Sequence, residues 1–138
     1  MDVEFTAALT YFLDQAKKNP GFNLGLNGDL GVGKTYFVSH LVGSLDPNLA
    51  QEVSSPSFSF CNTYLGDQFK IDHFDLYRLE EVEQLDEIGL YESFDDQQTI
   101  TLVEWSSMFR RLNRFFDYFL TLSQTEERRN YHIESTLI

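Results

Sequence analysis

Along the first 45 residues the hydrophobic positions change period twice, and the changes predict three elements. Phe5, Ala8, Leu9, Phe12, Leu13 and Ala16 recur at helical spacing, so an amphipathic helix is expected, ending before Pro20-Gly21. "FNLGLNG" (22–28) reads as a short buried strand, and Phe37, Val38, Leu41, Val42 and Leu45 mark one face of a second helix, which stops near Asp46-Pro47. "SFSFCNTYL" (57–65) and "FKIDHFD" (69–75) alternate on either side of a turn at Gly66-Asp67, which predicts a β-hairpin. "RLEEVEQLDEIG" (78–89) places Leu79, Val82, Leu85 and Ile88 among acids, predicting a surface helix that closes near Gly89. "TITLVEW" (99–105) predicts a buried strand with a carboxylate at its end, and "SMFRRLNRFF" (107–116) a short helix. The remainder suggests two strands joined by a polar turn. With no repeat, low-complexity tract or linker, one α/β domain over residues 1–138 is the expected organisation.

Composition narrows the functional classes. The chain carries 22 acidic and 10 basic residues, a formal net charge of −12, and no run of lysines or arginines. Nucleic-acid binders need a basic stripe to displace counterions from phosphate, so direct, stand-alone binding of RNA or DNA is not expected. Cys61 is the only cysteine, which excludes an intramolecular disulfide, and its aromatic surroundings suit a small core residue. No apolar run approaches the roughly 18 residues of a membrane span. The opening "MDVEFTAALT" lacks a signal-peptide pattern, so a soluble, cytoplasmic protein with no membrane association is expected.

Chemistry enters with "GDLGVGKT" (28–35), which fits G-x-x-x-x-G-K-[ST] at Gly28, Gly33, Lys34 and Thr35. Glycines let the backbone turn tightly, so that several N–H groups converge on one anion-sized nest. The following helix adds the partial positive charge of its N-terminus. Lys34 supplies a point charge for the β and γ phosphates, and the Thr35 hydroxyl is a hard oxygen suited to Mg²⁺. Strand, glycine loop and helix follow in the order that a phosphate loop requires.

Hydrolysis also needs a carboxylate near the metal and a group that orients water. Glu104 ends an apolar strand, a usual place for the former, with an exposed strand-end acid as the lesser alternative. Asp75 ends the second hairpin strand, and alternation would put His73 on the same face; each alone could be structural. "SSPSFSF" (54–60) lies where such enzymes keep a segment that orders on nucleotide binding, and reads equally as a turn ahead of a strand. Trp105 could serve as a core anchor, an interface anchor or a base-stacking group.

In this order and spacing, "GDLGVGKT", "SSPSF", "HFDLYRL" and "LVEW" resemble the TsaE (YjeE) family over about residues 5–135. "HFDLYRL" with "VEW" is far more specific to it than the phosphate loop. The resemblance implies an α/β, three-layer P-loop NTPase fold with a mostly parallel core sheet and antiparallel hairpin additions. It implies a bacterial Mg²⁺-dependent ATPase in threonylcarbamoyladenosine modification of tRNA, acting on the TsaB–TsaD complex, slow alone and stimulated by that partner. In such proteins the chemistry on tRNA belongs to TsaD, and hydrolysis cycles the complex. The cofactors implied are ATP or ADP with Mg²⁺, the metal being held by Thr35 and Glu104. Lys34, Asp75 and Glu104 form the implied catalytic set. Nucleotide contacts are implied at Thr6, Asp29, Gly31, Val32, Gly33, Lys34, Thr35, Tyr36, Trp105 and Arg129, with Arg128 as the alternative to Arg129. Three positions depart from the family pattern: Ser57 stands for Thr, Ser106 for Pro, and Tyr36 for a second Thr.

Two other classes fit the loop. A small-molecule kinase would need an acceptor pocket and an arginine-rich lid, and the chain has few arginines outside 110–114 and 128–129. A non-catalytic nucleotide-sensing module would use Asp75 and Glu104 only to stabilise strand ends.

Overall fold

The computed structural model describes residues 3–29, 31–56 and 59–137. Helix α1 (Val3–Lys18) leads to strand β1 (Phe22–Asn27), and the glycine turn then feeds helix α2 (Lys34–Leu45). The hairpin is β2 (Cys61–Leu65) and β3 (Lys70–Asp75), closed by a bond from the Gly66 amide to the Phe69 carbonyl. Short helices α3 (Gln84–Glu87) and α4 (Leu90–Asp95) precede β4 (Thr99–Glu104). Strands β5 (Tyr118–Thr125) and β6 (Arg128–Ser135) end the fold.

Among the described residues six strands form one sheet in the order β2-β3-β4-β1-β5-β6. The three central pairings are parallel and the two outer ones antiparallel, the parallel core with hairpin additions that the family resemblance implies. Both faces are covered, because parallel strands must bury both. On one face, Phe5, Ala8, Phe12 and Ala16 of α1 and Phe37, Val38, Leu41 and Val42 of α2 pack on Leu24, Leu26, Ile100, Leu102 and Leu120. The other face buries Phe74 and Val103 under Leu85, Leu90, Phe94, Leu112 and Phe116. Cys61 sits in this second layer, where burial pushes its thiol up to about 11, far from a reactive thiolate.

Three expectations about elements are corrected. The helix over 78–89 is broken: only Gln84–Glu87 makes a helical turn, and Gly89, with φ of 82°, starts the separate α4. Its acids repel one another at helical spacings, and the Gln84 side chain accepts from the Glu80 and Glu81 amides, competing with backbone pairing. Strand β2 begins at Cys61 rather than 57, because Phe60 holds a left-handed φ of 62° that ends strand pairing. Ser57 and Phe58 lie outside the described residues. The segment 107–116 forms two 3-10 turns, Ser106–Met108 and Arg110–Phe115, split by an extended Phe109. Among the described residues, no helix is long and apolar enough to cross a membrane.

Candidate functional site

Parallel pairing brings the carboxyl ends of three strands together, with Leu26 and Asp75 each in register with Glu104. In open α/β sheets the crevice beyond such ends is where ligands bind. Here it holds a cavity of about 250 Å³ lined by Gly31, Gly33, Lys34, Thr35, Tyr36, Ser55, Asp75, Glu104 and Trp105. Gly33 caps α2 with φ of 108°, a conformation that a side chain would strain, and a β-carbon there would meet the Arg129 guanidinium at 3.2 Å. Gly28, with φ of 145°, lies so close to β5 that a β-carbon would collide with the Leu122 carbonyl.

Lys34 is only 5 % exposed. Its ammonium donates to the carbonyls of Gly28 at 2.6 Å and Asp29 at 2.9 Å, and lies 4.1 Å from the Trp105 ring centroid. Burial lowers its pKa, against the opposing charges of Glu104, Asp75 and Asp29. Thr35 donates its hydroxyl proton to Glu104, with Oγ1 3.0 Å from each carboxylate oxygen. That leaves the Thr35 lone pairs free, so hydroxyl and carboxylate together present hard oxygens into the cavity. This donor set fits Mg²⁺, which takes one or two protein oxygens and completes its shell with phosphate and water. Among the described residues no group of three or more His, Cys, Asp or Glu side chains forms a self-sufficient metal cage.

Glu104 is 2 % exposed and accepts a second bond, from His73 Nε2 at 2.5 Å. Asp75 accepts from the Ser55 hydroxyl at 3.1 Å and the Tyr77 amide at 3.0 Å. Burial raises its pKa, and the charge of Glu104 adds to the rise. Trp105 holds a left-handed φ of 63°, a strained conformation for a bulky residue that costs about 1–3 kcal/mol. The bond from its amide to the Leu26 carbonyl and the packing of its ring on Tyr77, 4.8 Å between centroids, hold it there. Behind the Trp105–Asp75–Ser55 wall lies a second cavity of about 220 Å³, also lined by Pro56, Phe60, Tyr77 and Arg78.

The family described as threonylcarbamoyl adenosine biosynthesis protein TsaE matches residues 2–132. The chain belongs to the TsaE family. A tRNA threonylcarbamoyladenosine biosynthesis protein TsaE of Rickettsia bellii is 40% identical over 87 residues, covering 63% of this chain and 58% of that protein. The Rickettsia felis protein of that name is 36% identical over 113 residues, 79% of this chain and 61% of its own length. Its Bacillus subtilis namesake is 35% identical over 96 residues, 70% of this chain and 58% of that one. This chain thus spans about three fifths of the length of these curated relatives. A solved structure, the crystal structure of Bacillus subtilis YdiB, shares the fold with a TM-score of 0.61. It is 24% identical, covering 96% of this chain and 79% of that one.

For a TsaE-family chain, the placement of the residues singled out by sequence is uneven. Gly31, Gly33, Lys34, Thr35, Tyr36, Asp75, Glu104 and Trp105 converge on the cavity. Arg129 stands beside Gly33, whereas Arg128 turns to Glu4 at 3.3 Å. Asp29 is exposed and offers its carbonyl to Lys34. Val32 buries its side chain in the core, which leaves its backbone to face a ligand. Thr6 is exposed on α1, outside the residues that line this cavity. Its neighbour Phe5 instead packs on Tyr36 and His40, while Tyr36 stays 51 % exposed. Ser106, at the family's proline position, is buried and donates to the Asn27 side chain at 3.1 Å, which fixes the exit from β4. Sequence reasoning missed Tyr64 and the His73–Glu104 contact. Alternation predicts that His73 and Asp75 share a face, but only strand register reveals which carboxylate His73 meets.

Proposed function

We propose that this chain binds ATP or ADP with Mg²⁺ in the crevice and hydrolyses ATP as an accessory protein of tRNA threonylcarbamoyladenosine synthesis. Its partner in this reading is the TsaB–TsaD complex. The observation that carries the proposal is Thr35, at the mouth of the glycine turn, bonded to both oxygens of a buried strand-end carboxylate. Membership of the TsaE family supports the pathway.

In this reading the glycine turn and the α2 N-terminus hold the phosphates through backbone N–H groups. Lys34 leaves the Gly28 and Asp29 carbonyls to meet the β and γ oxygens, and its lowered pKa reflects a charge short of solvent. Thr35 and Glu104 would hold Mg²⁺, which when bound would stabilise charge developing on the phosphoryl oxygens. Asp75, with a raised pKa, sits where it can orient water or take its proton. Arg129 approaches the loop from β6 and Trp105 closes the wall.

Phosphate release measured with and without the cognate TsaB–TsaD complex tests the whole reading. Slow turnover that rises on adding the complex is the expected result. An unchanged rate with no association sinks the partner assignment. Transfer of phosphate to a small acceptor would make the chain a kinase, and no release at all a nucleotide sensor.

A further inference from the structure

His73 is completely buried and does not line the cavity, yet it makes the shortest polar contact in the site. A buried carboxylate such as Glu104 must be compensated by hydrogen bonds, and the orientation of its oxygens follows from where those bonds come. Thr35 reaches both oxygens equally and so does not choose between them. His73 touches Oε2 alone.

The other ring nitrogen explains how His73 is held. With Nε2–H donating to a carboxylate, a neutral imidazole leaves Nδ1 as an acceptor. The Tyr64 hydroxyl lies 3.3 Å from Nδ1, and burial raises the phenol's pKa, keeping it a donor. The Tyr64 oxygen in turn accepts from the Ser54 amide at 3.4 Å. The hydroxyl's single proton can go to the Ser54 carbonyl at 3.4 Å or to His73 Nδ1; directed to Nδ1, it runs the donors one way, from Ser54 N–H through Tyr64 and His73 to Glu104. Partners of this kind, bonded to the far nitrogen of a histidine or to a liganding carboxylate, set its orientation and tune cation affinity. The same line reaches the first residue of "SSPSF".

We propose that His73 is a positioning residue for Glu104, fixing Oε2 so that the carboxylate presents a defined edge beside Thr35, and that Tyr64 locks the His73 ring in the required tautomer. This rests on the reading of Glu104 as the cation-side carboxylate.

Trp105 is the only tryptophan and stands in the cavity wall, so its fluorescence reports ADP binding directly. ADP titrations with and without Mg²⁺ on the wild type, His73→Ala, His73→Gln and Tyr64→Phe isolate the magnesium-dependent gain in affinity. His73→Ala should cut that gain about 10- to 100-fold while leaving magnesium-free affinity within about twofold. His73→Gln, which keeps a donor near the position of Nε2, should restore most of it, and Tyr64→Phe should cost a few-fold. An unaltered gain in His73→Ala overturns the proposal, as does an equal loss with and without Mg²⁺ that glutamine does not rescue. Where His73→Ala does not fold, His73→Asn, whose amide is too short to reach Oε2, takes its place with the same expected loss. A wild-type chain that gives no ADP response overturns the nucleotide reading and this inference with it. Binding with an unaltered magnesium gain overturns this inference alone.

Discussion

Asp72 and Glu104 are buried carboxylates on adjacent strands, and their surroundings differ in kind. Asp72, on β3, points to the layer of α4. Its Oδ1 accepts from Thr63 at 2.7 Å and its Oδ2 from Ser93 at 2.8 Å, and Ser93 lies 2.6 Å from Thr101 Oγ1. Its partners are short hydroxyls from neighbouring elements, and none of them lines the cavity. Glu104, at the end of β4, points to the layer of α2, and one of its partners belongs to the phosphate loop itself. One side of it forms a cavity wall. Burial of a charge therefore does not mark a site by itself. A buried charge with one open side and a partner on a ligand-binding loop does.

Substitution should separate the two. Glu104→Ala is expected to lower ATP turnover at least about 100-fold, the scale on which removal of a single transition-state-stabilising group acts. Magnesium-free nucleotide binding should stay near the wild-type value. Asp72→Ala should do the reverse. It strands hydroxyls that had a charged acceptor and should cost about 2–4 kcal/mol of stability, with turnover per folded molecule unchanged. Thermal melts and phosphate release on the same preparations check both, and a folded Asp72→Ala protein without turnover would collapse the distinction.

Much of this was legible in the chain. The periods of 3.6 and 2 locate α1, β1, α2 and β4, and the loop motif with its flanks marks the glycine turn that lines one end of the crevice. Glu104 stands out because it ends an apolar strand. Its contact with His73 does not, because it spans 31 residues and depends on the parallel register of β3 with β4. Choosing Arg129 over Arg128 likewise needs the twist of the β5–β6 pair, since neighbours on a strand look to opposite faces. Helix α4 has six residues, too few for periodicity to resolve, and the acids before it mimic a longer helix than they can sustain. Nor does any local pattern announce the left-handed backbone of Trp105, which is imposed by its bond to β1.

A milder change sharpens the structural side of the comparison. Ser93→Ala removes the hydroxyl that links Asp72 to Thr101 without creating a large void. It should cost about 1.5–3 kcal/mol, the net worth of a hydrogen bond to a charged group, and leave magnesium-dependent ADP affinity unchanged. Chemical denaturation read beside the Trp105 titration gives both values. A shift in ADP affinity would mean that the two clusters are coupled through the sheet.

Asp75 is the intermediate case, a half-buried carboxylate in the same cavity wall as Glu104. Its pKa is raised in the native state, first by burial and then by the charge of Glu104. The native chain therefore binds this proton more tightly than the unfolded chain. Stability must fall as pH rises from the ordinary carboxylate pKa near 3.8 to the raised native value, and must stay lowered above it. Asp75→Asn removes that titration. In nucleotide-free protein it should melt slightly higher than the wild type at pH 7, and the advantage should shrink as pH is lowered toward 3.8. A difference independent of pH would refute the burial argument. ATP turnover should nevertheless drop, because the asparagine cannot take a proton from water. A substitution that stabilises the fold while removing activity shows a group held at a cost for chemistry, which places Asp75 with Glu104 and apart from Asp72.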